Sequence, residues 1–208
     1  MFLVTFIHWL MSPEGLVSVL GHNWLLGTMI VAMVIFSETG FVLFPFLPGD
    51  SLLFATGAFY GAVGHNVVFA IAFAGLGAFL GDTLNYLIGR SLLGQKLLHS
   101  RWVKPRHVES THQWFVRYGG LTIIVARFIP IVRTFAPFIA GMTQMERRKF
   151  IAFNALGAVL WSGLILLCGF ILGTNYWVKG HMQWVSLIII ILSLIPVMMH
   201  LPKFIKEH

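Results

Sequence analysis

The sequence predicts an all-α integral membrane protein, a polytopic helical bundle with two proline-broken re-entrant hairpins facing each other and with interfacial amphipathic helices. Hydrophobic residues make up 58% of the chain and charged residues only 10%, whereas a soluble domain carries about 25% charged residues. Several apolar runs are long enough to cross the ~30 Å hydrocarbon core. Two of them contain prolines beside charged side chains, a pattern typical of broken helices that form a site near the middle of a membrane.

The first elements follow from the apolar pattern, and residues 1–208 are expected to form one membrane domain. Residues 1–23 begin with an apolar stretch that is too short to span and has no lysine or arginine before it, so we expect an interfacial segment rather than a signal peptide. Residues 24–63 contain a long apolar run, a break at Pro45–Asp50 and a short returning segment. This pattern predicts the first broken hairpin.

The remaining elements alternate between apolar and basic character. Residues 66–93 read as a membrane span, and residues 95–118 mix basic side chains with tryptophans and histidines. The latter pattern predicts an amphipathic helix on a membrane surface. Residues 119–142 form the second broken hairpin, and residues 147–173 and 184–201 are expected to be ordinary spans.

Basic residues predict the orientation of the chain. Segment 90–117 holds six lysines and arginines, residues 147–149 add three, and the C-terminal tail has two. By the positive-inside rule these regions are cytoplasmic, in a multi-pass membrane protein. The first 89 residues contain no lysine or arginine, so the side of the N-terminus is left open. The net charge of +7 indicates attraction to anionic lipids rather than nucleic-acid binding.

Two acidic residues lie in or beside the first break. A charge within a membrane costs about 2.5–3.5 kcal/mol on insertion scales and usually marks a pathway or a binding site. Because a low dielectric favours a neutral carboxyl group, Glu38 could exchange a proton near neutral pH; the alternative is a structural carboxylate paired with arginine. Asp50 follows Pro48-Gly49, so it could cap a helix or take part in proton or substrate chemistry.

Two arginines flank Pro130 in the second break. Arginine stays charged and presents a donor fork that matches phosphate, and a half-helix beginning near Thr134 or Pro137 would add free N–H groups. Arg127, Arg133 and Thr134 are therefore predicted to form a phosphate site. The alternative is that the arginines only neutralise Glu38 and Asp50.

Other residues are assigned supporting roles. The predicted helix breaks are Pro45, Pro48, Gly49, Pro130 and Pro137. Asp82, Asn85 and Tyr86 share one helix face, where they could line a polar pathway or form a hydrogen-bond network between helices. Glycines four residues apart predict close helix packing: Gly57/Gly61, Gly77/Gly81 and Gly169/Gly173. No metal, cofactor or catalytic motif is visible, so an enzyme is not expected.

Three motifs resemble the DedA family, also called VTT-domain proteins. They are Glu38-Thr-Gly with Pro45-Phe-Leu-Pro48-Gly49-Asp50-Ser51, then Gly81-Asp82-Thr-Leu-Asn85-Tyr86-Leu-Ile-Gly89-Arg90, and Ala126-Arg127-Phe-Ile-Pro130-Ile-Val-Arg133-Thr134-Phe-Ala-Pro137-Phe-Ile-Ala140-Gly141-Met142. The resemblance implies a bacterial inner-membrane protein with two re-entrant hairpins that translocates a lipid, with undecaprenyl phosphate the leading substrate. It also implies that Glu38 and Asp50 are the functional acids and that Arg127 and Arg133 are the functional arginines.

The expected function is therefore a flippase- or scramblase-like transporter of a phosphate-bearing lipid, dependent on protons or membrane potential. Its expected partners are anionic or polyprenyl-phosphate lipids and protons, with a homo-oligomer possible. Two alternatives stay open at this point. One is a proton-coupled exporter of small cations or drugs, and the other is a non-transporting membrane-homeostasis scaffold.

Overall fold

A computed structural model of the chain describes residues 19–40, 49–91 and 119–175. Within these ranges every regular element is a helix, and no strand occurs, which confirms the all-α class. The helices are α1 (Trp24–Gly40), α2 (Gly49–Val63), α3 (Val67–Arg90), α4 (Leu121–Ala126), α5 (Pro130–Met142) and α6 (Arg147–Thr174). The predictions for residues 1–18, 95–118 and 184–201 lie outside the described residues.

Two helices are long and apolar enough to cross a membrane. Helix α3 has 24 residues and helix α6 has 28, so at a rise of 1.5 Å per residue they measure roughly 36 Å and 42 Å. Both exceed the ~30 Å hydrocarbon core. They coincide with the spans predicted at 66–93 and 147–173. Helix α1 is apolar but shorter, at 17 residues.

The second predicted break is present between α4 and α5. Residues 127–129 leave the helix, and Ile129 adopts an extended conformation with φ −115° and ψ 107°. Helix α5 then begins at Pro130, the first helical position, where the missing N–H of proline costs no hydrogen bond. The expected start near Thr134 or Pro137 is therefore wrong, and α5 continues through Pro137 instead of breaking there.

The first predicted break falls mostly on residues 41–48, which lie outside the described residues. Gly49 is the first residue of α2 and Asp50 the second, whereas Pro45 and Pro48 lie outside the described residues. Asp50 is thus inside the first turn and does not precede the helix as an N-cap would. Its negative charge there is favourable, because the N-terminus of a helix is the positive end of its dipole. Whether either broken segment turns back within the membrane stays a prediction.

The chain divides into two compact units, the first of which contains described residues 19–31, 49–74 and 162–175. In this unit α2 and α6 pack backbone to backbone, since a side chain on any of four glycines would overlap a carbonyl of the facing helix. The glycines are Gly57, Gly61, Gly169 and Gly173, and the carbonyls are those of Leu166, Phe170, Phe54 and Ala58 respectively. The predicted close packing of both glycine pairs is confirmed.

The second unit contains described residues 32–40, 75–91 and 119–161. Gly77 and Gly81 of α3 meet the backbone of α1 at Ala32 and Phe36, which confirms the third glycine pair. An apolar cluster forms where Tyr86 stacks on Phe150, with ring centroids 4.1 Å apart. This packing brings the ends of α1 and α3 together with α5 and the first half of α6.

Candidate functional site

Four charged side chains lie buried in the second unit. Their relative exposures are 2% for Glu38, 1% for Asp82, 2% for Arg127 and 4% for Arg133. Isolated buried charges are strongly unfavourable, so such groups are found paired. These four residues form two arginine–carboxylate pairs.

The first pair joins α1 to α5. Nη2 of Arg133 donates to Oε1 of Glu38. The Arg133 guanidinium also lies over the indole ring of Trp161 on α6, 4.9 Å from its centroid. Such a cation–π contact adds about 2 kcal/mol where the groups are desolvated. Arg133 is therefore held by a carboxylate and by an aromatic face.

The second pair joins the break after α4 to α3. Arg127 is the residue that follows α4, and its Nη2 donates both to Oδ2 of Asp82 and to Oδ1 of Asn154, the latter at 2.5 Å. Asn154 in turn donates from Nδ2 to the Phe79 carbonyl at 3.1 Å and to Thr83 Oγ1 at 3.2 Å. The expectation that Arg127 could neutralise Asp50 is thus replaced by pairing with Asp82.

Asn85 stabilises the backbone beside the first pair. Its Nδ2 donates to the carbonyls of Thr39 at 3.1 Å and of Thr134 at 2.8 Å. Thr39 follows Glu38, and Thr134 follows Arg133. One amide therefore connects the end of α1 to the first turns of α5, beside both members of the pair.

The polar stripe on α3, formed by Asp82, Asn85 and Tyr86, contacts protein groups along its length. Besides the contacts of Asp82 and Asn85, the Tyr86 hydroxyl donates to the Met145 carbonyl at 2.6 Å and accepts from Arg90 Nη1 at 2.6 Å. All three stripe residues are at most 2% exposed. This geometry favours the predicted hydrogen-bond network between helices over a polar pathway.

Several buried atoms retain hydrogen-bonding capacity. Among the residues that the structure describes, Asp82 Oδ1, Asn85 Oδ1 and the Nε and Nη1 atoms of Arg127 contact no hydrogen-bond partner. An unsatisfied buried polar atom costs about 1–3 kcal/mol. The Asp82–Arg127 pair can therefore accept further donors and acceptors without losing its present contacts.

The predicted site residues are divided between the two units. Glu38, Arg127, Arg133 and Thr134 are in the second unit, whereas Asp50 is in the first, where it is partly exposed. No group of three or more histidine, cysteine, aspartate or glutamate side chains able to hold a metal occurs in the described ranges.

Sequence reasoning missed two residues of α6 at this site, Asn154 and Trp161. Asn154 is the sole amide in the apolar stretch 150–161. A lone polar residue inside a membrane span is unfavourable without a partner. That signal could have identified Asn154 before the structure was known.

Comparisons with known proteins match most of the chain. A family profile described as the VTT domain matches residues 47–171, which include Asp50, Asp82 and both arginines but not Glu38. The chain is 43% identical to Protein DedA of Escherichia coli (strain K12) over 172 residues, covering 80% of this chain and 78% of that protein. It is 38% identical over 185 residues to an uncharacterized membrane protein of Mycobacterium tuberculosis, with coverages of 85% and 81%. For Inner membrane protein YghB of Escherichia coli (strain K12) the identity is 32% over 163 residues, with coverages of 77% and 74%. No solved structure matches the chain.

Proposed function

The chain belongs to the VTT-domain (DedA) family of membrane proteins, and from that premise we propose that it transports a phosphate-bearing lipid between the two leaflets. Undecaprenyl phosphate is the proposed substrate. The protein changes the position of the lipid and not its chemistry. Its action depends on protons or on the membrane potential.

The observation that supports this proposal is the presence of two buried arginine–carboxylate pairs in one unit. A phosphate group offers several strong acceptor oxygens, and it binds guanidinium at least as well as a carboxylate does. A phosphate headgroup could therefore replace Glu38 at Arg133, or Asp82 at Arg127. If the released carboxyl group takes up a proton, its own negative charge is not left uncompensated in the membrane.

The start of α5 favours an anion at the same place. Arg133 and Thr134 lie in the first turns of this 13-residue helix, whose N-terminus carries partial positive charge and N–H groups without intrahelical partners. Thr134 is buried at 1% exposure. In the proposed mechanism Arg127, Arg133 and Thr134 hold the phosphate, and the released carboxyl group of Glu38 or Asp82 takes up a proton. Asp50 is proposed as a further proton-exchanging residue.

The apolar part of the lipid can remain in the bilayer. Phe128 and Ile129 in the break, and Phe135 on α5, expose 48%, 42% and 42% of their surface, whereas Arg127 and Arg133 point inwards. One short segment thus presents apolar side chains outwards and cationic groups inwards. A lipid whose tail lies against these apolar residues needs to move only its headgroup through protein.

The charge balance argues against a cation exporter. Among the described residues, the two buried arginines and the two buried acids sum to zero, and both acids have an arginine partner. A site for small cations would need an acidic excess. An anionic substrate, by contrast, competes directly with the acids for the arginines.

Reconstituted vesicles test the proposal. The purified protein would be placed in vesicles that contain fluorescent undecaprenyl phosphate, and a membrane-impermeant quencher would report how much label reaches the outer leaflet. We expect faster exchange between leaflets than in protein-free vesicles. Undecaprenol, which lacks the phosphate, serves as the matched control and should not be accelerated. Equal acceleration of both lipids by the protein would contradict a phosphate-dependent mechanism.

A further inference from the structure

Asn154 of α6 has a bonding pattern that distinguishes it from the other partners of the arginines. Its Oδ1 accepts from Arg127 Nη2, while its Nδ2 donates to Phe79 and Thr83 on α3. The orientation of the amide is chemically determined, because a flipped amide would point its NH₂ group at the cation and its oxygen at two acceptors. Both the oxygen and the nitrogen of the Asn154 amide are therefore hydrogen-bonded, in a side chain that is 0% exposed.

Asp82 is anchored less firmly than Asn154. Its Oδ2 pairs with Arg127, but its Oδ1 contacts no hydrogen-bond partner among the described residues. A carboxylate can also be neutralised by a proton, whereas an amide does not titrate. Of the two groups that share Nη2 of Arg127, Asn154 is therefore the one whose interaction can persist when the ion pair opens.

The backbone of α6 also lies close to the side chain of Arg127, at Gly157. A Cβ atom added at Gly157 would lie 3.0 Å from Cδ of Arg127 and 3.1 Å from its Nε. Such distances are too short for a side chain without displacement of the arginine. Asn154 and Gly157, three residues apart, lie on one face of α6, so the glycine leaves room for Arg127 beside the amide that binds it.

We propose that Asn154 is a positioning residue that holds the Arg127 guanidinium in place while its carboxylate partner changes. This inference rests on the proposed exchange of carboxylate for phosphate, but it makes a separate claim about the cation. Arg127 keeps its Nη2–Asn154 bond when Asp82 is released. Its Nε and Nη1 donors then face an incoming acceptor from a fixed position, so less rotational freedom is lost on binding.

Nuclear magnetic resonance of protein in lipid nanodiscs, with ¹⁵N-labelled arginine, tests this claim without any transport measurement. A guanidinium held at one Nη atom rotates slowly about its Nε–Cζ bond and gives two separate Nη signals. The Arg127 signals are assigned by their loss in Arg127→Lys. We expect slow rotation in the protein itself and in Asp82→Asn, where Asn154 still holds Nη2 without the ion pair. Rotation should be at least about tenfold faster when Asn154→Ala is added to Asp82→Asn. Leu156→Ala, at a 52% exposed position of the same helix, is the matched control and should not change the rate.

Each outcome decides the inference. Rotation in the folded double variant that is no faster than in Asp82→Asn overturns it, and so does fast rotation in Asp82→Asn alone. If the double variant does not fold, Thr83→Val in the Asp82→Asn background decides instead, because it removes one of the two acceptors that anchor Nδ2. Faster rotation in Thr83→Val then supports the positioning role, and an unchanged rate contradicts it.

Transport by the same variants separates this inference from the proposed function. We expect Asn154→Ala to raise the lipid concentration for half-maximal transport about tenfold, with a smaller effect on the maximal rate. Suppose that the variants lacking Asn154 rotate faster but the unsubstituted protein moves no undecaprenyl phosphate. This result would leave the positioning role intact and refute the proposed function. If the unsubstituted protein transports the lipid but the loss of Asn154 does not change the rotation rate, the positioning role is refuted and the proposed function is retained.

Discussion

Each of the two buried guanidinium groups has a carboxylate partner, and each pair involves residues far apart in the chain. A buried ion pair is weak evidence for stability, since the cost of desolvating both charges can exceed their attraction. Apolar residues of similar size often fill the same volume without loss of stability. We therefore propose that in each pair one partner can be exchanged for a substrate group.

At the residue scale, the first prediction concerns the shape of the cation. Lysine keeps the charge of arginine but has no planar fork, so it cannot reproduce the shared contact of Arg127 with Asp82 and Asn154. Arg127→Lys and Arg133→Lys should each lower lipid translocation by about tenfold or more. Both proteins should still insert in the membrane. Full translocation rates in both variants would show that charge alone suffices and would remove the phosphate-clamp interpretation.

The second prediction compares a buried pair with an exposed one. Glu38→Gln removes the carboxylate from the buried Arg133–Glu38 pair, and breaking a buried pair costs about 3–5 kcal/mol. Glu146→Gln breaks the Lys149–Glu146 pair, whose side chains are 69% and 55% exposed, and should change stability by less than about 1 kcal/mol. Unfolding in detergent would measure both. A loss for Glu38→Gln no larger than that for Glu146→Gln would mean that the buried pair is not held as described.

Glu38 and the two arginines could be identified from the sequence because charged residues in apolar runs are rare and costly. Their pairing could not, because Glu38 and Arg133 are 95 positions apart, and Arg127 and Asp82 are 45 apart. Which charges pair depends on how the helices pack against one another. A single sequence does not reveal that packing, because many arrangements of apolar side chains of similar size are compatible with it. For this reason the sequence indicated either a polar pathway or a hydrogen-bond network between helices for Asp82, and not a pair with Arg127.

At the scale of helices, small residues allow α2 and α6 to approach closely. In a membrane, helix association depends on packing rather than on the hydrophobic effect, and small residues let backbones come into contact. The four glycines at this interface each face a carbonyl of the other helix. This arrangement makes the interface sensitive to a single added methyl group.

The third prediction uses two glycines of the same helix. Gly169→Ala would place a Cβ against the Phe54 carbonyl, whereas a Cβ at Gly163 meets only Ile71 Cγ2, at 3.9 Å. Gly169→Ala should destabilise the protein by about 1–3 kcal/mol, and Gly163→Ala should be neutral or stabilising by up to about 1 kcal/mol. Thermal unfolding in detergent provides the comparison. Equal effects of the two substitutions would contradict the close packing of α2 on α6.

The sequence predicted the break at Pro130 but not the residue at which α5 starts. Proline is accepted both at the first helical position and, in membrane proteins, inside a helix. Pro130 occupies the first kind of position and Pro137 the second. Proline alone therefore did not reveal which of the two ends the break.

At the scale of the whole molecule, the distribution of basic residues predicts the orientation of the spans. Arg148 lies at the start of α6, and Asn66 lies just before α3. In a Cys168→Ser background, Arg148→Cys should react with an impermeant maleimide only from the cytoplasmic side and Asn66→Cys only from the other side. Leu164→Cys, in the interior of α6, is the control and should stay unreactive in lipid. Labelling of Arg148→Cys and Asn66→Cys from the same side would contradict this topology.

The central claim is that the buried arginines bind a phosphate headgroup in place of their carboxylates. Lipid-dependent stabilisation measures this most directly, because a ligand that binds the folded state raises the unfolding temperature. Undecaprenyl phosphate should raise the Tm of the protein and of Arg148→Lys, an exposed control, whereas undecaprenol should not. In Arg133→Lys the difference between the two lipids should be strongly reduced. Equal shifts with both lipids, or an undiminished phosphate effect in Arg133→Lys, would contradict the claim.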